Sequence, residues 1–517
     1  MYDRIVLVWV GFIFFASVAF ASISLLQLVQ HKKIAIDKGF WLSLSACLVA
    51  LLLCLSVWPP FHHVYEDEFS FISQSVNILS MGKASITTKG SLLHPEAFIS
   101  WTANPKLPGY AWLEAVLLTF SKDHLYSYFL LNIVLGTLLV GIMYRIAWIL
   151  TESHLTAWWA AIFLASLPAR ITYSMSAASD ISGAFFFFLF LLFICEFRGL
   201  NSRRILYAAI FCGIYSICIK PFYAVFVLAG LAISLPFYKR EGVLDKQMFS
   251  QALLDTFCLL LPVLFAFPVF LFSDLNAGGY SFSFALKNIY TSLVYLFDYK
   301  QNTFLTVLAA LFIILRSFFY RKDELVTGLA GWFWAGFLVI SVFFAGGFSI
   351  TNQAYSDRYF LFFAFPFVLL AGKGVFEAVI LSRSQVLSGV IFIVLIANAS
   401  YAAHLYVVKS KYHGFYKKAI LLEKISHLIP DKAYVIDECA AFIAVKTDLK
   451  SIQTTFFLNG DHPREIVFLK GLPDFAYPYR TTMTENVLKT QYICQPLSYA
   501  PFREGDLSAW PMLCDKK

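Results

Sequence analysis

From residue 5 to residue 404 the chain is a succession of apolar runs, and this feature limits its fold more than any other. A helix that crosses a hydrocarbon core of about 30 Å needs about 20 residues. About twelve runs qualify or come close, at 5–29, 40–58, 125–150, 155–168, 180–197, 205–219, 222–238, 252–272, 302–319, 326–346, 359–380 and 386–404. Of the 517 residues 59% are hydrophobic and only 14% charged, against roughly 25% charged in soluble chains. Fifty-five Phe, several in the run 185–193, exclude a soluble enzyme, a disordered chain and a disulfide scaffold. A net charge of +8 spread over this length is what cationic cytoplasmic loops give, so no nucleic-acid partner is expected.

Orientation follows from the cations, because Lys and Arg in short loops stay in the cytoplasm. Alternate connections carry Lys32, Lys33 and Lys38, then Arg145, then Arg198, Arg203 and Arg204, and the alternation continues through Lys239, Arg240, Arg316, Lys322, Lys373 and Arg383. The opposite connections are sparse. The long one, 59–124, has only Lys83, Lys89, Lys106 and Lys122, and the others little beyond Arg170, Lys220, Lys287, Lys300 and Arg358. Both termini and the 59–124 loop are therefore predicted outside. Ala19-Phe20-Ala21 resembles a signal-peptidase site, but cleavage there would break the charge alternation, so an uncleaved first helix is expected.

Beyond about residue 405 charges return. Ala433–Asp437, Cys439–Val445 and Ser451–Phe457 read as strand, short helix and strand, the start of a small α/β domain. The expected fold is a polytopic α-helical membrane protein with about twelve spans and a C-terminal extracytoplasmic α/β domain. Its domains would be 1–404, including the outer loop 59–124 with interfacial helices, and 405–517. Of nine Cys, six lie in apolar runs and read as small hydrophobes. Cys439, Cys494 and Cys514 fall in the polar tail, where one disulfide such as Cys494 with Cys514 is open to them.

Four stretches carry candidate chemistry. In His62-His-Val-Tyr-Glu-Asp-Glu68 three acids sit just beyond the second run, and an apolar stripe at Phe69, Ile72, Val76 and Leu79 suits an interfacial helix. Asp67 and Glu68 would then lie at head-group depth; the plain alternative is an acidic loop at a helix start. In Asn104-Pro-Lys-Leu-Pro-Gly-Tyr-Ala-Trp-Leu113, Lys106 would face a phosphate, while Tyr110 and Trp112 suit the interfacial aromatic belt. Asp180 opens the Phe-rich run, as an N-cap or as a functional charge at the mouth of a bundle. Lys220-Pro221 and Tyr355-Ser-Asp-Arg-Tyr359 put two more cations outside, where they either snorkel or converge on a lipid phosphate. His62, His63 and His94 share the acidic loop without metal-ligand spacing.

The order of these elements resembles the GT-C superfamily of integral membrane glycosyltransferases, in the branch of protein O-mannosyltransferases and the lipid A aminoarabinose transferase. Asp67-Glu68 with Ser80-Met-Gly-Lys83, Lys106-Leu-Pro-Gly-Tyr-Ala-Trp-Leu113, Ser179-Asp180, Lys220-Pro221 and Arg358-Tyr359 carry it, across about residues 40–380. Two features depart from that pattern. Two apolar segments precede the Asp-Glu pair where the family usually has one, and the Arg usual about twenty residues after the Pro-rich turn is absent from Lys122-Asp-His-Leu-Tyr-Ser-Tyr-Phe129.

The resemblance implies transfer of one sugar, generally with inversion, from a polyprenyl-phosphate carrier such as undecaprenyl phosphate to an extracytoplasmic protein, glycan or envelope lipid. The setting would be a bacterial inner membrane, with the site and the C-terminal domain on the extracytoplasmic side. Asp67 would be the base, with Glu68 and Asp180 positioning the acceptor. Lys106, Lys220 and Arg358 would stabilise the departing phosphate, with Tyr110 and Tyr359 beside them in the substrate site. No cofactor is required, though Asp67 and Asp180 leave room for a divalent cation. A large apolar groove for the prenyl tail would also use the Phe excess. The alternative is a polyprenyl-lipid or polysaccharide transporter, which should place its ionisable residues near the bilayer midplane; here they cluster at one outer face.

Overall fold

A computed structural model describes the chain except residues 1, 31–36, 61–64, 93, 101–106, 122–125, 241, 243–246, 262–285, 287–288, 291–292, 295, 297–303, 321, 344–359, 362–363, 413, 438–440, 442, 444–448, 471–478, 499 and 505–506. Lys106, Arg358, Tyr359, His62, His63 and Cys439 lie outside the described residues. Two compact units divide the chain: one from 1–7, 64–124 and 407–517, the other from 8–63 and 125–406.

In chain order the elements begin with α1 (Tyr2–Gln30), α2 (Lys38–Leu55), α3 (Tyr65–Met81), β1 (Ser85–Gly90), β2 (Pro95–Ser100) and α4 (Gly109–Leu118). There follow α5 (Tyr126–Thr151), α6 (His154–Ala165), α7 (Pro168–Ser174), α8 (Asp180–Leu200), α9 (Arg203–Ile219) and α10 (Tyr223–Arg240). Next come α11 (Phe304–Phe319), α12 (Glu324–Phe343), α13 (Ala364–Ser382), α14 (Gln385–Tyr412) and α15 (Gly414–Ile425). The C-terminal segment adds β3 (Tyr434–Asp437), β4 (Ser451–Gln453), α16 (Thr454–Leu458), β5 (Glu465–Lys470), α17 (Tyr479–Gln491), β6 (Tyr492–Pro496), β7 (Phe502–Glu504) and β8 (Leu507–Lys516).

Among the described residues six helices are long and apolar enough to cross a membrane, or seven if the bent pair α6–α7 counts as one span. Several of the other expected runs form helices that are too short to qualify. The run 205–219 becomes the 17-residue α9, about 25 Å of helix against a core of about 30 Å.

At the centre of the helical unit lies α8. A helix that is apolar all round needs apolar neighbours all round, and α9 and α5 pack on it. Phe186, Phe187, Phe188, Phe190 and Phe193 are all buried there. The Phe run 185–193 is thus largely core. The neighbouring turn is set by α6 and α7, which meet at 59°. On α7 the fully buried Arg170 donates to Ala50 O at 3.2 Å and to Ala165 O. Its cation therefore lies at the C-terminus of α6, where the helix dipole favours it.

The other unit is built on an eight-stranded sheet with the path β2-β1-β4-β3-β5-β8-β6, and β7 pairs β8 off that path. β3 runs parallel to β4 and β5; the remaining pairs are antiparallel. Its apolar side is filled by Ile436, Ile452, Phe457, Ile466, Phe468 and Leu488. Cys494 and Cys514 face each other across β6 and β8 and are joined by a disulfide. The segment 454–457, read as strand from the sequence, is the helix α16: β4 ends after three residues, and Phe457 joins the core from a helical turn.

The hairpin β1–β2 comes from the 59–124 loop yet belongs to this sheet, with Lys89 opposite Ile452 and Gly90 opposite Ser451. Gly90 sits at φ +99°, and a Cβ there would lie 2.6 Å from His94 O, so the turn into β2 requires glycine. Lys89 reaches Asp461 at 2.8 Å and the Tyr434 ring at 5.5 Å, and the Tyr434 hydroxyl donates to the Glu96 carboxylate. That acceptor, together with burial, keeps the Tyr434 phenol well above its ordinary range.

Two ion pairs of this unit differ in burial, and so in worth. Lys418 on α15 and Asp437 at the end of β3 are both buried, whereas the Asp461 side chain is 38% exposed. Lys418→Met should therefore cost about 3–5 kcal/mol, because it leaves a buried carboxylate without that cation. Lys89→Met should cost about 0–1 kcal/mol. Thermal unfolding of the purified protein in detergent reads both, and equal losses would contradict this ranking.

Candidate active site

The sequence-predicted acids lie at the start of α3, where the helix dipole favours negative charge. Asp67 is half-buried and Glu68 fully buried. Of the expected apolar stripe, Phe69 and Ile72 are buried, Val76 is half-buried and Leu79 is exposed. The polar side of α3 is buried as well, because β1 covers it. Asn77 Nδ2 donates to Ser85 O at 2.8 Å and to Thr87 Oγ1 at 3.0 Å, and Ser73 Oγ accepts from Thr87 N at 2.9 Å. The acids thus stand on a helix held by the sheet hairpin.

The Pro-rich turn leads into α4, whose first residue follows Pro108. Trp112 Nε1 donates to Leu7 O at 2.9 Å, which joins the N-terminal end of α1 to α4. Tyr110 is fully buried, its ring edge-on to Phe71 at 5.2 Å.

Next to it lies Glu114, which sequence reasoning passed over. It is fully buried and accepts from Ser75 Oγ at 3.0 Å. Burial pushes its carboxyl well above the usual range; hydrogen bonds from Tyr110 and Ser75 oppose that shift, and the charge of Glu68 adds to it. The signal was present: Glu114 is the one charged residue in the apolar decapeptide Gly109–Leu118.

In the helical unit, Asp180 and Lys220 come together. Ser179 is the N-cap of α8 and Asp180 its first residue, while Lys220 closes α9. Each charge suits the helix end it occupies. Lys220 Nζ lies 2.6 Å from Asp180 Oδ1, and both side chains are almost fully buried. The approach depends on Gly183, where a Cβ would lie 2.9 Å from Tyr223 Cε2 and 3.4 Å from Lys220 Cγ. Asn132 on α5 ties the preceding loop down, donating to Ser176 O and Ala178 O at 2.8 Å each and accepting from Ser182 Oγ at 3.0 Å. Among the described residues, no three His, Cys, Asp or Glu side chains cluster so as to hold a metal ion.

Solved structures share this architecture. The chain matches apo ArnT from Cupriavidus metallidurans with a TM-score of 0.56 and 10% identity, over 92% of this chain and 98% of that one. ArnT from the same organism bound to undecaprenyl phosphate matches at 0.54 and 12%, with the same coverage. The Archaeoglobus fulgidus oligosaccharyltransferase in its apo form matches at 0.51 and 12%, over 89% of this chain and 70% of that one. No family model matches the chain, and no curated protein matches it by sequence. ArnT and the oligosaccharyltransferase are GT-C proteins, so this chain has the GT-C fold and is an integral membrane protein.

Two measurements follow. For a carboxyl whose pKa is raised on folding, the unfolded state ionises first, so stability falls as pH climbs above the ordinary 4.5. Glu114→Gln removes that loss, and its melting temperature should gain on the wild type progressively from pH 4 to pH 8; a constant difference would mean that Glu114 does not stay protonated on folding. Lys220→Met should cost about 3–5 kcal/mol in thermal unfolding, and adding Asp180→Asn should recover part of it. Additive losses would show that the two residues are not coupled.

Proposed function

We propose that this protein is a glycosyltransferase that moves a sugar from a polyprenyl-phosphate-linked donor to an extracytoplasmic protein, glycan or envelope lipid, with inversion. The observation that carries the reading is the chain-long likeness to ArnT, whose structure holds undecaprenyl phosphate. Nucleotide sugars are cytoplasmic, so a site on the far side of a membrane needs a donor attached to lipid. The setting we propose is a bacterial inner membrane, with 1–404 as the transmembrane catalytic part and 405–517 as an extracytoplasmic domain.

In this reading Asp67 takes the proton of the acceptor hydroxyl as sugar transfer proceeds. It is half-buried, reachable by an acceptor yet partly shielded from water. Glu68 is fully buried and acts by positioning. Asp180 has an observed partner, and its role is to hold the Lys220 ammonium, 2.6 Å away, in place. Lys220, Lys106 and Arg358 then offset the charge that builds on the departing lipid phosphate. Tyr110 and Tyr359 complete the substrate site, Tyr110 from a buried position.

Asp67→Asn tests the reading. Membranes holding matched amounts of wild type and variant are supplied with radiolabelled polyprenyl-phosphate sugars, and label is followed from the lipid to an acceptor. Loss of a general base is expected to slow transfer by about 10²–10⁴-fold; transfer at the wild-type rate by the variant would overturn the assignment of Asp67.

A further inference from the structure

Asp180 opens α8, and at the other end of that helix, about 24 Å away, Glu196 faces a second charged cluster. Between α1, α2, α5 and α8 lies a cavity of about 620 Å³, within the range of about 300–1,000 Å³ that holds small ligands. Its walls run from Val18 to Leu25 on α1, from Leu138 to Arg145 on α5 and from Phe185 to Leu192 on α8. Each stretch rises seven residues, about 10 Å of helix. The cavity is therefore a tube parallel to the bundle. Val18, Leu44 and Leu138 in its wall are more than two-fifths exposed, so it opens sideways onto the lipid-facing surface.

One end is polar and carries Asp37, Arg145, Trp148 and His154. The Arg145 guanidinium stacks on the Trp148 ring at 4.5 Å, with Nε 2.7 Å and Nη2 2.6 Å from Glu196 Oε1. Among the described residues its Nη1 has no acceptor. The His154 ring stacks on Trp148 at 5.8 Å, and its Nδ1 lies 2.8 Å from Tyr144 OH. Asp37 Oδ1 accepts from Phe40 N at 2.9 Å as the N-cap of α2, and the carboxylate is otherwise exposed to the mouth. In the charge alternation these residues share the side of Lys38, Arg198 and Arg203.

These features select the occupant. An apolar tube ending at head-group depth suits an acyl chain, and basic pockets between membrane helices bind lipid head groups. Here the cation is accompanied by an acid. A purely anionic head group would meet the Asp37 carboxylate, and a purely cationic one the Arg145 guanidinium. We infer that the cavity binds one acyl chain of a phosphatidylethanolamine-type lipid, its phosphate on Arg145 and its primary ammonium on Asp37. The site lies at the other end of α8 from Asp180, and binding there is read without any activity.

Native mass spectrometry of the whole protein, released from detergent with equimolar phosphatidylethanolamine and phosphatidylglycerol of matched chains, tests it. Wild type should retain one phosphatidylethanolamine in about tenfold preference, the ratio one charge-assisted contact gives. Asp37→Asn keeps the helix cap and should retain both lipids equally. Ser22→Trp, which fills the tube from an exposed wall position, should retain neither. No stoichiometric lipid on the wild type, an equal or reversed preference, or retention untouched by Ser22→Trp would overturn the inference.

Discussion

A charge removed from water must find its opposite, and this constraint organises the helical unit. α8 carries one such pair at each end: Asp180 with Lys220 at its start, and Glu196 with Arg145 near its finish. Between them lies the Phe run that forms the core of the bundle. Apolar packing alone is non-directional and would let such a helix slide along its axis. The two ion pairs fix its depth, because a shift of one turn would strand the buried Asp180, Lys220 and Glu196. Gly183 completes the arrangement by admitting Tyr223 and Lys220 against α8.

The sheet unit solves a different problem. The acids of α3 need a rigid support if they are to act at a fixed place, and a segment of some sixty residues does not supply one by itself. Here the 64–124 segment contributes its hairpin to a sheet whose other strands come from beyond residue 433. β1 pairs with β4 on one side and covers the polar face of α3 on the other. Asp67 and Glu68 are thereby coupled to the C-terminal segment through two elements. Glu114, buried beside Ser75 and Tyr110, adds a hydrogen-bonded contact between α3 and α4.

Local patterns in the sequence account for much of this. Runs of apolar residues marked the helices, the Asp-Glu pair marked α3, and the alternation in 433–437 marked β3. The Cys494–Cys514 bridge was legible because few Cys lie in the polar tail. What escaped was pairing at a distance. Nothing in Ser85–Gly90 shows that it will lie beside Ser451, more than three hundred residues on. Asp180 and Lys220 were each visible as charges at helix ends, yet their partnership depends on how α8 and α9 pack. Glu114 was hidden because an acid in an apolar helix reads as an exception until its hydrogen bonds are seen.

The account stands on the chemical fate of a lipid-linked sugar. The most direct measurement is mass spectrometry of the lipid extract from proteoliposomes containing the purified protein, a polyprenyl-phosphate sugar and an acceptor extract. The account predicts that free polyprenyl phosphate accumulates in step with sugar on the acceptor. A donor lipid recovered intact but redistributed across the bilayer would contradict it and make the protein a carrier.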